Sequence, residues 1–368
     1  MTEPFPLTLH LNSEPGFRGG EVQTLGLVQR LEAHGFGALL MARQGGPLLE
    51  RALSLGLRAV PWRPRGELDL AAAFSLRRLI RREKVALIHA HTAHALTLAL
   101  LARGRSKGPP IVAHRRVSFP LKGRFSLSKY RRAGAVIAVA GAVRDALAES
   151  GLDPERLHVI HSGVDLERFK NLPSKLEARA ALGIDQNHFV IGVVGALVAH
   201  KGHGAFLDAF NRFATLRPDA LALFVGDGPL RAALEKEAFA RGLRVHFTGQ
   251  VEEPAAAAYP AMDMLVLPSS SGEGSPGVIK EAAAALVPVI AADVSGTGEI
   301  LRNNEEALLV PPRSPKEMAS AMTRLAADAS LRQKLVQNAR ERVEAFSMDA
   351  TAAATAEIYR SLLALARR

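Results

Sequence analysis

Two glutamates that stand eight residues apart mark the segment of the sequence best suited to bind a ligand. Residues 269–282 read SSSGEGSPGVIKEA, and Glu273 precedes a predicted helix while Glu281 lies just inside it. Carboxylates beside a helix N-terminus accept hydrogen bonds from sugar or ribose hydroxyl groups, and the first amides of a helix can bind an anion. An ordinary helix start with acidic residues that balance its dipole would fit the same pattern. The amides concerned belong to Gly274, Ser275 and Gly277.

Two further segments place glycines where a strand is predicted to run into a helix. Residues 193–203 read VVGALVAHKGH, in which Gly195 permits a ligand to approach and Lys201 offers a point charge for a diphosphate. Gly19 and Gly20 follow the first predicted strand and permit a similarly close approach. Each segment alone is weak evidence, because a lysine after a strand is usually solvated and the glycine pair does not fit GxGxxG.

Short apolar runs alternate with helical patterns along nearly the whole sequence, which indicates parallel sheets built from βαβ units. Strands of the first half are predicted at 7–12, 38–42, 86–91, 111–114, 135–139 and 158–161. Strands of the second half are predicted at 189–195, 220–225, 244–248, 264–268, 289–292 and 307–310. Three helices without intervening strands are predicted to close the chain, at 315–327, 331–346 and 349–366.

The pattern predicts an α/β protein of two doubly wound domains, which fits a length of 368 residues. Ligands of open α/β sheets bind beyond the carboxyl ends of the strands, so we expect a central cleft between the domains. The periodicity breaks near 165–176. The predicted limits are 1–168 for the first domain, 169–345 for the second, and 346–368 for a helix that crosses back to the first.

Composition excludes several classes of protein. The chain has no cysteine, which excludes disulfide scaffolds, thiol nucleophiles and cysteine-ligated metals. No apolar run is long enough to span a bilayer, and the first residues do not read as a signal peptide, so we expect a cytoplasmic protein. Aromatic residues make up only 5% of the chain, with one Trp and three Tyr, which argues against a nucleic-acid-binding protein.

The excess of positive charge lies entirely in the first half. Residues 1–165 hold 24 Lys and Arg against 13 Asp and Glu, whereas residues 166–368 hold 23 of each. Such a face would attract an anionic membrane surface or an acidic acceptor, although a solvated face of an arginine-rich protein has the same composition. The residues that we assign to this acceptor or membrane face are Arg77, Arg78, Arg81, Arg82, Arg115, Arg116, Lys122, Arg124 and Lys129.

The motifs occur in an order that resembles the retaining glycosyltransferases of family four, which have the two-domain GT-B fold with Rossmann-like halves. The resemblance covers roughly residues 5 to 345, and the E-x7-E element is its most specific part. The segments that carry it are the glycine pair with EVQTL at 21–25, IHAH at 88–91, AVAGAV at 138–143, HVIHSGVDLERF at 158–169, VVGALVAHKG at 193–202, LFVGDGP at 223–229, FTG at 247–249 and EGSPGVIKE at 273–281.

The resemblance implies a role for each part of the donor site. Glu281 would bind the nucleoside ribose, Glu273 the hydroxyl groups of the donor sugar, and Lys201 the diphosphate, with help from the Gly19 and Gly20 loop. The remaining residues implied to line the donor pocket are Val251, beside the base, and Gly274, Ser275, Pro276, Gly277 and Val278. The nucleotide sugar, UDP- or GDP-linked, would be a substrate, so no cofactor is expected, and the first domain would bind a glycan or lipid-linked acceptor.

The resemblance also assigns a histidine to catalysis, together with Glu273 and Lys201. His114 matches the histidine that binds and orients the donor sugar in the family, and His91 and Arg116 are the alternatives if the alignment slips. The acceptor of such enzymes attacks from the face of the leaving group, whose phosphate takes the proton. The sequence contains no Asp-x-Asp, so we expect no metal in the site.

One departure from the family pattern concerns charge. Family members usually carry an arginine directly after the glycine at 195, but this chain has Ala196. Loss of that bidentate clamp leaves Lys201 as a point charge, unless Arg18, His200 or His203 compensates. We expect a transferase acting on a lipid-linked, lipopolysaccharide-like or other anionic acceptor at the inner face of the membrane. A sugar-nucleotide epimerase or a phosphorylase of the same fold is the alternative.

Overall fold

The computed structural model describes residues 5–104, 108–117, 121, 123–251 and 258–367. The chain divides into two compact units, one formed by residues 1–163 with 348–368 and the other by residues 164–347. The predicted domain limits, after residues 168 and 345, lie within a few residues of these divisions. Lys122 of the assigned basic face lies outside the described residues.

The first unit contains a sheet of seven parallel strands in the order β3-β2-β1-β4-β5-β6-β7. Its strands are β1 (Leu7–Asn12), β2 (Gly37–Arg43), β3 (Ala59–Trp62), β4 (Leu87–Ala90), β5 (Ile111–Arg115), β6 (Ala135–Ala138) and β7 (Leu157–Val159). Its first six helices are α1 (Gly19–Arg30), α2 (Pro47–Ser54), α3 (Leu70–Arg82), α4 (Ala93–Arg103), α5 (Gly123–Arg131) and α6 (Gly141–Glu149).

The second unit repeats this plan with six parallel strands in the order β10-β9-β8-β11-β12-β13. Its strands are β8 (Phe189–Val194), β9 (Ala220–Val225), β10 (Val245–Gly249), β11 (Met264–Leu267), β12 (Val289–Ala292) and β13 (Leu308–Val310). Its helices are α7 (Lys175–Ala181), α8 (His203–Leu216), α9 (Arg231–Ala240), α10 (Gly277–Ala284), α11 (Thr297–Ile300), α12 (Pro315–Ala327) and α13 (Ala329–Val343).

The last helix, α14 (Met348–Arg367), belongs to the first unit. Its buried residues Ala352, Ala356 and Tyr359 share a core with Leu27 of α1 and Ile137 of β6. The helix therefore covers one face of the first sheet. Among the described residues, none of the helices combines the length and the apolar character that crossing a bilayer requires.

Both sheets are buried on two faces, as parallel sheets require. In β8, Val190 and Val194 join one apolar core, whereas Ile191 and Val193 join another, because successive side chains of a strand point to opposite faces. Each unit has a doubly wound strand order, in which the chain moves outward from the first strand in one direction and then in the other. The order reverses between β1 and β4 in one sheet and between β8 and β11 in the other, and ligands of such sheets bind at this point.

The α/β fold with two doubly wound domains is confirmed. All twelve predicted strands are present, with ends that differ from the prediction by at most two residues. The prediction missed β3, whose sequence AVPW contains Pro61. Proline interrupts the apolar strand pattern, and it is tolerated here because β3 is the edge strand of its sheet.

Candidate functional site

The lysine and the first glutamate of the predicted donor site meet at the switch point of the second sheet. Lys201 follows β8 and Glu273 follows β11, which is the neighbouring strand. The Nζ atom of Lys201 lies 2.6 Å from Oε1 of Glu273, and the hydroxyl group of Ser269 donates to the same oxygen. Glu273 is buried and Lys201 is half-buried. Two residues 72 positions apart thus form one charged pair.

A close approach of two turns produces this pair. Gly202 has a φ of +71°, and a Cβ atom at that position would lie 2.0 Å from the carbonyl oxygen of Pro268. The backbone amide of Ser270 donates to the carbonyl of His200 at 2.8 Å. Only glycine satisfies both the left-handed backbone and the space. The turn that carries Lys201 is therefore fixed directly against the end of β11.

The loop of Glu273 is also held from the turn that follows β12. Gly296 has a φ of +83°, and a Cβ atom there would lie 1.9 Å from the carbonyl oxygen of Gly274. The hydroxyl group of Ser295 donates to the backbone carbonyl of Glu273 at 3.1 Å. The sequence analysis did not single out Ser295 or Gly296, although a glycine in the turn that follows a strand is a signal for such contacts.

The second glutamate has a partner that the sequence analysis missed. The hydroxyl group of Tyr259 donates to Oε2 of Glu281 at 2.6 Å. Burial, and then the neighbouring charge of Glu281, raise the pKa of Tyr259 well above its ordinary value, so the phenol stays protonated and remains a donor. One oxygen of Glu281 is thus fixed by a buried tyrosine.

A buried lysine stands between the two glutamates. Lys280 is fully buried, and its Nζ atom donates to the hydroxyl oxygen of Ser275 at 2.9 Å. Burial lowers the pKa of Lys280 to about 7, although the charge of Glu281 opposes this shift. Lys280 was not predicted as a site residue, because a lysine on a helix is ordinarily solvated.

The other predicted donor residues take varied positions. Pro276 precedes α10, Gly277 begins it and is exposed, and Val278 is half-buried. Gly274 is buried in the loop. Val251 is half-buried and packs against the apolar core of its unit, so its contact with a base stays a prediction.

His203 contacts Ala196, the residue that stands where family members usually carry an arginine. The ring Nε2 of His203 donates to the carbonyl oxygen of Ala196 at 3.0 Å. Burial lowers the pKa of His203, so this ring is neutral and supplies no charge. Any compensation by His203 would therefore have to come from a neutral ring. His200 and Arg18 are both exposed, and their roles stay open.

In the first unit, the glycine pair stands at the start of α1, beyond the end of β1. Oε1 of the buried Glu21 accepts from Asn12 Nδ2 at 3.1 Å, and its Oε2 accepts from the backbone amide of Arg18 at 3.0 Å. A Cβ atom at Gly20 would lie 3.6 Å from Cδ of Arg116. The guanidinium stem of Arg116 therefore passes beside the glycine pair.

His114 lies at the end of β5 within a group of stacked histidine rings. Its ring is parallel to that of His89 at a centroid distance of 5.4 Å and lies 5.9 Å from that of His91. It is only 7% exposed, and both of its ring nitrogens lack a hydrogen-bond partner among the described residues. Burial lowers its pKa well below the ordinary value, so the ring is neutral.

Two of these histidines, together with His10 of β1, come close enough to one another to be considered as a metal site. His10, His89 and His91 each place one ring nitrogen within 4.8 Å of the others. A guanidinium nitrogen of Arg116 lies 3.3 Å from Nδ1 of His91. Because arginine can only donate, Nδ1 must accept and the ring carries its proton on Nε2. His91 then has no free lone pair for a metal, so these residues do not fit one.

The predicted basic face divides into exposed and enclosed residues. Arg78, Arg81, Arg82 and Arg124 are exposed, whereas Arg77, Arg115 and Arg116 are half-buried. Lys129 is 7% exposed, and its ammonium group pairs with the carboxylate of Glu67, whose pKa this contact lowers against the effect of burial. The assignment of Lys129 to an open face is therefore wrong, because its charge is neutralised beneath the surface.

Comparison with known proteins gives the family. Residues 17–168 match the profile described as Glycosyltransferase Family 4, and residues 174–342 match that described as Glycosyl transferases group 1. The chain belongs to the family-four glycosyltransferases. Both units thus match in the order that the motifs predicted.

Curated relatives that resemble this chain are named as glycosyltransferases of several kinds. The alpha-D-kanosaminyltransferase of Streptomyces kanamyceticus is 29% identical over 78% of this chain and 80% of its own length. The putative teichuronic acid biosynthesis glycosyltransferase TuaC of Bacillus subtilis is 33% identical over 65% of this chain and 60% of its own. The D-inositol 3-phosphate glycosyltransferase of Streptomyces bingchenggensis is 33% identical, and this chain spans about half its length, 48%.

Solved structures share the fold of this glycosyltransferase. Anabaena HepE in complex with UDP and glucose superposes with a TM-score of 0.82 at 22% identity, over 96% of this chain and 99% of that one. A glycosyltransferase from Rickettsia africae gives 0.86 at 19% identity, over 98% and 99% of the two chains. The fold is GT-B.

Proposed function

We propose that this glycosyltransferase moves a sugar from a nucleotide-diphosphate sugar to a lipid-linked, lipopolysaccharide-like or other anionic acceptor. The transfer retains the anomeric configuration and uses no metal. The observation that carries the proposal is the Lys201–Glu273 pair, because it leaves N–H donors on Lys201 and an acceptor oxygen on Glu273 available. Oε1 of Glu273 takes both described contacts, and among the described residues Oε2 has none.

The free atoms of these side chains suit the parts of a nucleotide sugar. Oε2 of Glu273 can accept from a sugar hydroxyl group, while the ammonium group of Lys201 keeps two further N–H donors for a diphosphate. Glu281 has one oxygen on Tyr259, which leaves Oε1 for a ribose hydroxyl group. The HepE structures with UDP and UDP-glucose support a donor of this chemical class.

The proposed mechanism needs stabilisation of the leaving group more than an enzymic nucleophile. As the glycosidic bond breaks, negative charge grows on the diphosphate, and preorganised N–H groups stabilise it. Lys201 supplies one such group. By the resemblance to the family, the acceptor attacks on the leaving-group face, the donor phosphate takes its proton, and His114 orients the sugar.

The acceptor assignment is supported by one face of α3. Leu70 and Phe74 are 72% and 70% exposed, and Arg78, Arg81 and Arg82 continue the exposed surface toward the end of the helix. Exposed apolar side chains beside arginines suit the interface of an anionic membrane. The name of TuaC, which concerns teichuronic acid biosynthesis, supports an acceptor of acidic character. We place the enzyme on the inner face of the membrane.

Titration calorimetry with a panel of nucleotide sugars, UDP, GDP and uridine tests the donor proposal. We expect one nucleotide diphosphate to bind, and Glu281→Gln to weaken it about 10-fold or more through loss of a charge-assisted hydrogen bond. The exposed Glu235→Gln, of equal charge change, is the control. If no nucleotide binds, or if both variants bind alike, the donor site is wrong. NMR of the product's anomeric proton tests retention, and activity in a chelator tests metal independence.

A further inference from the structure

A chain of hydrogen bonds runs through the buried interior of the first unit and ends at Arg116. A guanidinium nitrogen of Arg116 lies 3.3 Å from Nδ1 of His91, and Nε2 of His91 lies 3.0 Å from Nδ1 of His10. Nε2 of His10 lies 3.0 Å from the hydroxyl oxygen of Thr8, which donates to the carbonyl of Gly37 at 2.9 Å. The chain links β5, β4, β1 and β2.

The two ends of the chain fix the direction of every bond within it. A guanidinium group can only donate and a carbonyl group can only accept. His91 must therefore accept on Nδ1 and donate from Nε2 to His10. His10 must likewise donate from Nε2 to Thr8. Both rings are thus held as the Nε2–H tautomer.

The chain carries a single charge, which is that of the guanidinium group. Burial lowers the pKa of His10 to about 3 and that of His91 well below its ordinary value, so both rings are neutral. Burial also lowers the pKa of Arg116, to about 10, while the charge of Glu21 opposes the shift. Arg116 remains a cation at neutral pH.

This cation lacks a bonded counter-charge in the described part of the chain. Both oxygens of Glu21, the acidic group that acts on it electrostatically, are engaged by Asn12 and by the amide of Arg18. Nε of Arg116 is buried and has no hydrogen-bond partner among the described residues. A desolvated cation without a paired anion is costly, which favours sites that gain an anion from a ligand. The unpartnered His114 precedes it by two residues.

We propose that Arg116 binds a phosphate group of a substrate beside Gly20, and that Thr8, His10 and His91 are positioning residues that hold its guanidinium group in place. A planar guanidinium fork matches a phosphate group in two parallel hydrogen bonds. The phosphate belongs either to the donor's diphosphate or to a phosphorylated acceptor. Only the identity of the molecule that carries this phosphate, donor or acceptor, rests on the proposed function.

Two probes, UDP and glycerol 3-phosphate, test phosphate binding by Arg116 in titration calorimetry on the full chain. We expect Arg116→Met to weaken one of them about 10- to 100-fold. Loss of UDP binding alone assigns the donor's diphosphate, and loss of glycerol 3-phosphate binding alone assigns an acceptor phosphate. Arg144→Met is the matched control, because Arg144 is exposed and pairs with its neighbour Asp145. The proposal is overturned if both variants bind both probes as the wild type does, or if the wild type binds neither.

Arg116→Lys covers the case in which the methionine variant does not fold. It keeps the positive charge but loses the planar guanidinium group, so we expect a smaller reduction in affinity for the same probe. Binding of both probes at wild-type strength by a folded lysine variant would contradict recognition by the planar group.

Thr8→Val tests the positioning role at the far end of the chain. Valine cannot accept from His10, so the Nε2–H group of His10 loses its partner, while Arg116 still requires an accepting Nδ1 on His91. The His10 ring then loses the bond that orients it, and the support of His91 and Arg116 becomes looser. We expect the same probe to bind about 3- to 10-fold more weakly, with the KM of its substrate raised more than kcat is lowered. Thr355→Val, which removes an equally buried hydroxyl group within α14, is the control.

Long-range ¹H–¹⁵N spectra of the histidine rings report the tautomers directly. The wild type is expected to show neutral Nε2–H rings for His10 and His91, and Thr8→Val is expected to change the signal of the His10 Nε2–H group, which loses its acceptor. Protonation on Nδ1 in the wild type, or equal effects of the two threonine variants on binding, would overturn the positioning role.

Discussion

Substitution of Gly202 by alanine measures how closely the turn of Lys201 must approach the end of β11. An alanine at a φ of +71° costs about 1–2 kcal/mol from the left-handed backbone alone. Its Cβ atom would also lie 2.0 Å from the Pro268 carbonyl oxygen, whereas real contacts of this kind stay beyond 3.0 Å. The turn must therefore move by about 1 Å, and a misplacement of this size can reduce a reaction by about 100-fold.

Gly242→Ala is the matched control for this substitution. Gly242 has a φ of +64° and open space around its Cβ position, so it carries the backbone cost without the collision. We expect Gly242→Ala to destabilise the protein by about 1–2 kcal/mol and to leave nucleotide binding unchanged. Gly202→Ala is expected to lower the free energy of unfolding by about 1 kcal/mol more than the control does. It is also expected to weaken binding of the nucleotide diphosphate at least about 10-fold, because Lys201 is separated from Glu273.

Urea unfolding and titration calorimetry on the two variants give the necessary comparison. A Gly202→Ala variant that matches Gly242→Ala in both stability and nucleotide affinity would refute the reasoning. Such a result would mean that the turn relaxes without cost and that its contact with Pro268 does not place Lys201.

Three further predictions concern separate parts of the molecule. His114→Ala should lower the transfer rate more than donor affinity, and unchanged turnover would move its role to His91 or Arg116. The folded-state pKa of Lys280 is about 7, which is below its value in the unfolded chain, so the unfolded chain binds more protons above that pH. The free energy of unfolding of the wild type, relative to Lys280→Met, should therefore rise from about pH 7 toward pH 10. Parallel pH curves for the two proteins in urea unfolding would contradict this. Phe74→Ser should reduce sedimentation with anionic liposomes, and added salt should reduce it further, whereas equal recovery with neutral liposomes would contradict attraction of the arginines to an anionic surface.

The sequence predicted two doubly wound parallel sheets and most strand limits, because parallel strands are buried on both faces and therefore read as continuous apolar runs. It also singled out Glu273, Glu281 and Lys201 as candidate donor residues, because glycines and charges follow two predicted strands, and their role in binding stays a prediction. It could not show that Lys201 and Glu273 are paired, because that contact joins residues 72 positions apart.

The residues that escaped prediction depend on contacts between distant segments. Tyr259 reaches Glu281 from a separate turn, and Lys280 has the sequence of a solvated helical lysine until its burial is known. The histidines of the first unit stand on neighbouring strands, and His89 bonds Tyr359, which lies 270 positions further along the chain. Lys129 shows the converse, since a charge that the sequence assigned to a basic surface is buried and paired with Glu67.

A crystal structure of the protein with UDP, or with whichever nucleotide diphosphate binds best, tests the central claim most directly. We predict a phosphate oxygen within hydrogen-bonding distance of Lys201 Nζ and a ribose hydroxyl group on Glu281 Oε1. A nucleotide bound elsewhere, or bound there with both side chains turned away from it, would contradict the account.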